Sequence, residues 1–162
     1  MTPHRPVSAL DKALRLLSAR AYSSGELTQR LIRAGYLSEE AAAAVEECRK
    51  RHYLDDRMFA EDCADMWLAR GHGARSIRQK LRQRGIPSEL VADVPALSPE
   101  HETEAACRAI ESKLPSLLRE KDPRKRKAKA LRFLAARGFT GDAVGAAMKL
   151  LAASGNASEQ EF

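Results

Sequence analysis

Aromatic residues make up only 5% of this chain, and Val and Ile are thin beside Leu and Ala. Leu and Ala lose little rotamer freedom in a helix, so the balance favours an all-α fold. Cysteine is nearly absent: Cys48, Cys63 and Cys107 are widely separated, and no CxxC pair occurs. The four histidines, His4, His52, His72 and His101, are equally scattered. That spacing indicates neither a disulfide scaffold nor a zinc site, and no metal or other cofactor is expected. Long apolar runs are missing, and Met1 to Pro6 holds no apolar signal core. The expectation is therefore a soluble, cytoplasmic protein with reduced thiols and no membrane contact. Catalytic signatures are missing as well. There is no Gly-rich phosphate loop ending in Lys-Ser/Thr, no GxSxG and no HExxH. The paired acids Glu46-Glu47 and Asp55-Asp56 are adjacent, so on a helix they diverge by about 100° and do not face one site. A non-enzymatic protein acting through its surfaces is expected.

What the chain does contain is helical periodicity, repeated. Ser8 opens a helix with capping-box spacing to Asp11, and Leu10, Ala13, Leu14 and Leu17 form one apolar face. Ser23 and Glu26 repeat the capping-box spacing before a helix carrying Leu27 and Leu31, which stops at Gly35. A third helix begins at Ser38 with Glu39 and Glu40 in its first turn, where the helix dipole favours acids. The pattern then restarts. Asp55 caps a helix bearing Phe59, Cys63, Met66 and Trp67, and Gly71-His72-Gly73 breaks it. A short helix with Ile77 and Leu81 stops at Gly85, and Pro87 enters the first turn of a brief helix through Val94. The two stretches register at an offset of 50 residues: Arg20 on Arg70, Leu27 on Ile77, Arg30 on Lys80, Leu31 on Leu81, Gly35 on Gly85 and Ser38 on Ser88.

A third copy fits at an offset of 103, with Leu31 on Leu134, Gly35 on Gly138 and Tyr36 on Phe139. Its helices are expected to begin at Ser98-Pro99, near Asp122-Pro123 and at Thr140, the last running to Ala152. The architecture expected is three tandem three-helix, helix-turn-helix-like repeats, at 8–52, 53–97 and 98–153, stacked into an elongated crescent. A disordered polar tail, 154–162, is expected to follow.

Charge is uneven along these repeats. The chain has 28 Lys and Arg against 22 Asp and Glu, a net +6 that suits an acidic partner. Residues 39–65 hold nine acids and four bases, whereas Arg70, Arg75, Arg78, Lys80, Arg82 and Arg84 occur with no acid among them. On a helix, Arg75, Arg78 and Arg82 form one stripe and Lys80 and Arg84 a second, flanking the apolar Ala74, Ile77 and Leu81. Like charges at these spacings repel by a few tenths of a kcal/mol, roughly, so a purely structural role leaves the arrangement unexplained. Lys125, Lys129 and Arg132 share a face of the third repeat. These nine cations are the candidate binding residues. The few aromatics fall on apolar faces, and Trp67 reads as a packing anchor.

The stretch Tyr53-Leu54-Asp55-Asp56, Phe59-Ala60, Trp67, Arg70-Gly71-His72-Gly73, Ile77-Arg78-Gln79-Lys80-Leu81 and Arg84-Gly85-Ile86 resembles the central signature of RecX regulatory proteins. Leu131 to Phe139, with Asp142 and Val144, resembles the family's C-terminal signature, and Ala13 to Leu17 with Ser18, Arg20, Glu26 and Leu27 its N-terminal part. The match covers about residues 10 to 150. The resemblance implies tandem three-helix repeats, agreeing with the period above. It also implies binding in the groove of RecA–single-stranded DNA filaments, with suppression of ATP hydrolysis, strand exchange and filament growth. Lys80 departs from the acidic residue the family usually carries there. A monomer with weak, sequence-independent affinity for single- or double-stranded DNA is expected. The alternative is a helix-turn-helix module acting on DNA directly, with the Arg75–Arg84 helix in a major groove.

Overall fold

A computed structural model describes residues 7–159. Among them lie nine α-helices, one 3-10 turn and no strand. The first repeat holds α1 (Ala9–Ala19), α2 (Ser24–Arg33) and α3 (Ser38–Lys50). The second holds α4 (Asp56–Ala69), α5 (Ala74–Gln83) and α6 (Ser88–Ala92). The third holds α7 (Pro99–Leu118), α8 (Pro123–Ala136) and α9 (Gly141–Glu159).

The helix starts follow the capping residues. The Ser8 hydroxyl accepts from the Asp11 amide, and the Ser23 hydroxyl accepts from that of Glu26, whose carboxylate returns a bond to the Ser23 amide. Asp55 accepts from the Met58 amide, and Asp122 accepts from the amides of Arg124 and Lys125. Gly35, Gly85 and Gly138 end the second helix of each repeat at φ of +98°, +76° and +84°, the left-handed conformation a side chain resists.

Two expectations are corrected. The helix after Pro87 does not reach Val94: it ends at Ala92, and a 3-10 turn, Pro95–Leu97, follows. Pro95 lacks the amide a continuing helix needs. The last helix does not give way to a tail at Ser154; α9 continues to Glu159. Leu151 and Gly155 are buried one turn apart, so the same face stays packed past Ser154. Residues 160–162 lie outside the described residues.

The chain forms two compact units, 1–60 with 81–93, and 61–80 with 94–162. The division passes through α4 and α5, so each compact unit takes part of the second repeat. The first unit is built on Ala13, Tyr22, Leu27, Leu31, Ala41, Val45, Cys48 and Leu54. In the second unit the principal packing is α7 against α9, and the buried positions include Ala105, Ala106 and Ala109 in α7 and Ala143 and Ala147 in α9. Such small side chains let ridges of one helix settle into the grooves of the other.

Within each unit, one helix end docks on another. In the first, the Ser23 hydroxyl, at the start of α2, donates to the Arg84 carbonyl at the end of α5. Gly25 and Gly85 face each other so closely that a Cβ on Gly25 would lie 2.9 Å from the Gly85 Cα. In the second, the Gly73 amide at the start of α5 donates to the Arg137 carbonyl at the end of α8 at 2.7 Å, and the Arg75 amide to the Gly138 carbonyl at 3.2 Å. Orphan carbonyls of one helix thereby satisfy orphan donors of another. An acid completes each joint: Asp56 accepts from the Ser24 amide at 2.7 Å, and Glu102 from the Ala74 amide at 3.1 Å.

Candidate interaction surface

Ala74, Ile77 and Leu81 are fully buried, as the apolar stripe of α5 requires, and the cations beside them divide into two classes. Several are committed to holding the fold. Arg84 grips Glu26 with one edge of its guanidinium, Nε to Oε1 at 2.7 Å and Nη2 to Oε2 at 3.3 Å, while the group lies 4.6 Å from the centre of the Phe59 ring. Arg75 donates to the Ala135 carbonyl at 3.2 Å and Arg78 to the Leu97 carbonyl at 3.3 Å. Lys80 stands 5.7 Å over Trp67, a cation–π contact that makes the tryptophan a packing partner. The expectation that structure alone does not explain the charged helix is thus corrected for Arg75, Arg78 and Arg84: backbone carbonyls at helix ends and a carboxylate offset the repulsion.

Arg70, Arg82, Lys125, Lys129 and Arg132 form the second class. All five are exposed, and none makes a side-chain hydrogen bond or ion pair among the described residues. Arg82 belongs to the first unit and the other four to the second.

Five residues at the joints carry information that the spacing of charges did not reveal. Glu26, half-buried, also lies 3.9 Å from Arg20, which stacks 3.8 Å over the Tyr22 ring. Burial alone raises the Tyr22 phenol, but hydrogen bonding and charge from Arg30 and Arg20 outweigh it and bring it below its ordinary value. In the second unit, Arg137 donates through Nη1 to the Arg70 carbonyl at 3.2 Å and lies 5.5 Å from the Phe133 ring centre. His72, partly buried, is held below the ordinary histidine range first by desolvation, then by Lys80, Arg137 and Arg70. The signal in the sequence was the placement of Arg84 and Arg137, each one residue before the glycine that ends its helix.

Burial pushes Cys48 and Cys107 above the usual thiol range, which suppresses the nucleophilic thiolate. Among the described residues no group of three or more His, Cys, Asp or Glu side chains can hold a metal, and no helix is long and apolar enough to cross a membrane.

Known proteins match this arrangement repeat by repeat. Family models for the first, second and third three-helix domains of RecX match residues 9–48, 55–94 and 100–148. The chain is 36% identical over 145 residues to the regulatory protein RecX of Chlorobaculum tepidum, covering 89% of this chain and 88% of that one. It is 34% identical over 142 residues to the regulatory protein RecX of Vibrio parahaemolyticus, covering 88% and 90%. The crystal structure of RecX from Lactobacillus salivarius superposes with a TM-score of 0.79 at 19% identity, over 88% of this chain and 94% of that one. A second RecX crystal structure gives 0.76 at 22%, over 87% and 70%. Three consecutive domain matches on three consecutive three-helix repeats show that the chain belongs to the RecX family of regulatory proteins.

Proposed function

We propose that this chain is a negative regulator of RecA recombinase, binding the groove of RecA–single-stranded DNA filaments and lowering ATP hydrolysis, strand exchange and filament growth. The observation that carries the reading is the run of three RecX domain matches in order, spanning residues 9–148. The exposed cations support it. Among the described residues Arg70, Arg82, Lys125, Lys129 and Arg132 have no competing carboxylate, which leaves them available for acidic groups of a filament. Arg75, Arg78, Lys80 and Arg84 contribute mainly by fixing the repeats that present those five. Contact with DNA itself is weak, independent of sequence and screened by salt, as expected where phosphates meet unpaired cations.

The test is RecA's DNA-dependent ATPase, titrated with this protein at substoichiometric amounts beside an unrelated DNA-dependent ATPase. Inhibition of RecA alone is expected, and the Lys125→Ala, Lys129→Ala, Arg132→Ala variant is expected to inhibit less at an unchanged melting temperature. Equal inhibition of both ATPases would mean DNA sequestration and would overturn the reading.

A further inference from the structure

The two joints present equivalent residues in equivalent places, and one of them is missing a charge. At the offset of 50, Arg20, Tyr22, Glu26 and Arg30 correspond to Arg70, His72, Ser76 and Lys80. Arg84 corresponds to Arg137, each preceding the left-handed glycine that closes its helix. In the first joint the Glu26 carboxylate takes the bidentate fork of Arg84 and the nearby charge of Arg20. The second joint keeps three cations, Arg70, Lys80 and Arg137, but replaces that carboxylate with the short neutral hydroxyl of Ser76. The other acid is common to both joints: Asp56 and Glu102 are each bound to the first amide of the receiving helix. The second joint therefore holds the same cationic frame with one negative charge fewer.

The frame is also poised for a bidentate contact. Arg84 meets Glu26 through Nε and Nη2. Among the described residues Arg137 uses only Nη1, on the Arg70 carbonyl, and its Nε–Nη2 edge makes no hydrogen bond there. Arg70 and Arg137 open onto a cleft of about 230 Å³ whose walls include Arg108, Lys113 and Phe133. Arg108 meets only the exposed Glu104, at 3.7 Å, and Lys113 lies 5.4 Å over Phe133. His72 stands beside this frame, held below the ordinary histidine range first by desolvation and then by the charges of Lys80, Arg137 and Arg70.

We infer that the cleft onto which Arg70 and Arg137 open is an anion site that takes a carboxylate from an acidic side chain of a protein partner, in the role that Glu26 fills within the first joint. A carboxylate is favoured over a phosphate because the chain's own counterpart of the site, Glu26 against Arg84, is built around one. Taking that partner to be RecA rests on the function proposed above; the anion site itself does not.

Ser76→Glu supplies the missing carboxylate internally, at the third position of α5, where Glu26 stands in α2. Binding to RecA–DNA filaments and His72 ring resonances during titration with a hexaglutamate peptide are measured for the parent, for Ser76→Glu and for Arg70→Gln. Circular dichroism and melting curves accompany each. The parent is expected to show His72 shifts that saturate with peptide. Ser76→Glu is expected to stay folded, to lose those shifts and to bind filaments at least tenfold more weakly. Arg70→Gln, which removes a cation without adding bulk, is expected to weaken both. A parent that gives no peptide shift, or a folded Ser76→Glu variant that binds peptide and filament as the parent does, overturns the site. Shifts produced by oligothymidylate and not by hexaglutamate overturn the carboxylate assignment in favour of phosphate. If the parent fails to bind filaments at all, the RecA reading falls while the peptide titration still decides the site.

Discussion

The start of α2 is capped by a serine and the start of α5 by a glycine, although each receives the end of another helix. At α2 a side-chain hydroxyl reaches the incoming Arg84 carbonyl; at α5 the Gly73 backbone amide meets the Arg137 carbonyl directly. The glycine has a physical reason. A Cβ there would overlap the Phe139 nitrogen and the Gly138 carbonyl group, whereas the nearest conflict at Gly25 in the other joint is the Gly85 Cα at 2.9 Å. One topology is thus sealed in two ways, by side chains with an ion pair in the first unit and by backbone proximity in the second.

Three substitutions sharpen that contrast. Gly73→Ala has the largest expected effect. Its methyl group meets backbone rather than a yielding side chain, so the cost is about 3 kcal/mol or more, above that of Gly25→Ala, by chemical denaturation. Equal costs for the two would mean that both joints rest on the same contacts. Glu26→Gln comes next. Removing the partner of a half-buried Arg84 costs about 1–3 kcal/mol in the first unit, and the loss shrinks at high salt. The matching change in the second unit, Ser76→Gln, removes no ion pair and is expected to leave the salt dependence unchanged. Ser23→Gly is the mildest. It converts the serine seal into the glycine type, and glycine remains an acceptable cap, so a loss of about 1 kcal/mol is expected from the hydroxyl's bonds. A loss as large as that of Glu26→Gln would show that the hydroxyl, not the ion pair, holds the first joint.

Periodicity and capping made the helices legible in the sequence because both are local. Ser8, Ser23, Asp55, Ser98 and Asp122 each announced a helix start that the structure contains. The misreadings at Val94 and Ser154 arose where packing decides. Leu97 is buried in a turn that the helical pattern did not foresee, and the polar composition after Ser154 concealed a face still anchored by Leu151 and Gly155. The candidate surface was legible only as a list of cations. Sequence spacing shows which arginines share a face, but not that Arg75 and Arg78 are spent on carbonyls about 60 and 19 residues away in the chain. Nor does it show that Arg84 has a carboxylate and Arg137 none. Those partners are separated by tens of residues and meet only once the helix ends dock.

The aspartate at the start of α8 bears on how such a chain lengthens. Asp122 accepts from the amides of Arg124 and Lys125, occupying the end of α8 that corresponds to the docking ends of α2 and α5. Adding a repeat after α9 would bring another helix end against donors of α8 that already have an acceptor, and a carboxylate would face incoming carbonyl oxygens. Growth of the array by copying is therefore not a matter of adding sequence alone. The junction residue has to change with it, from a carboxylate to a serine or a glycine, before a further repeat can dock as its predecessors do.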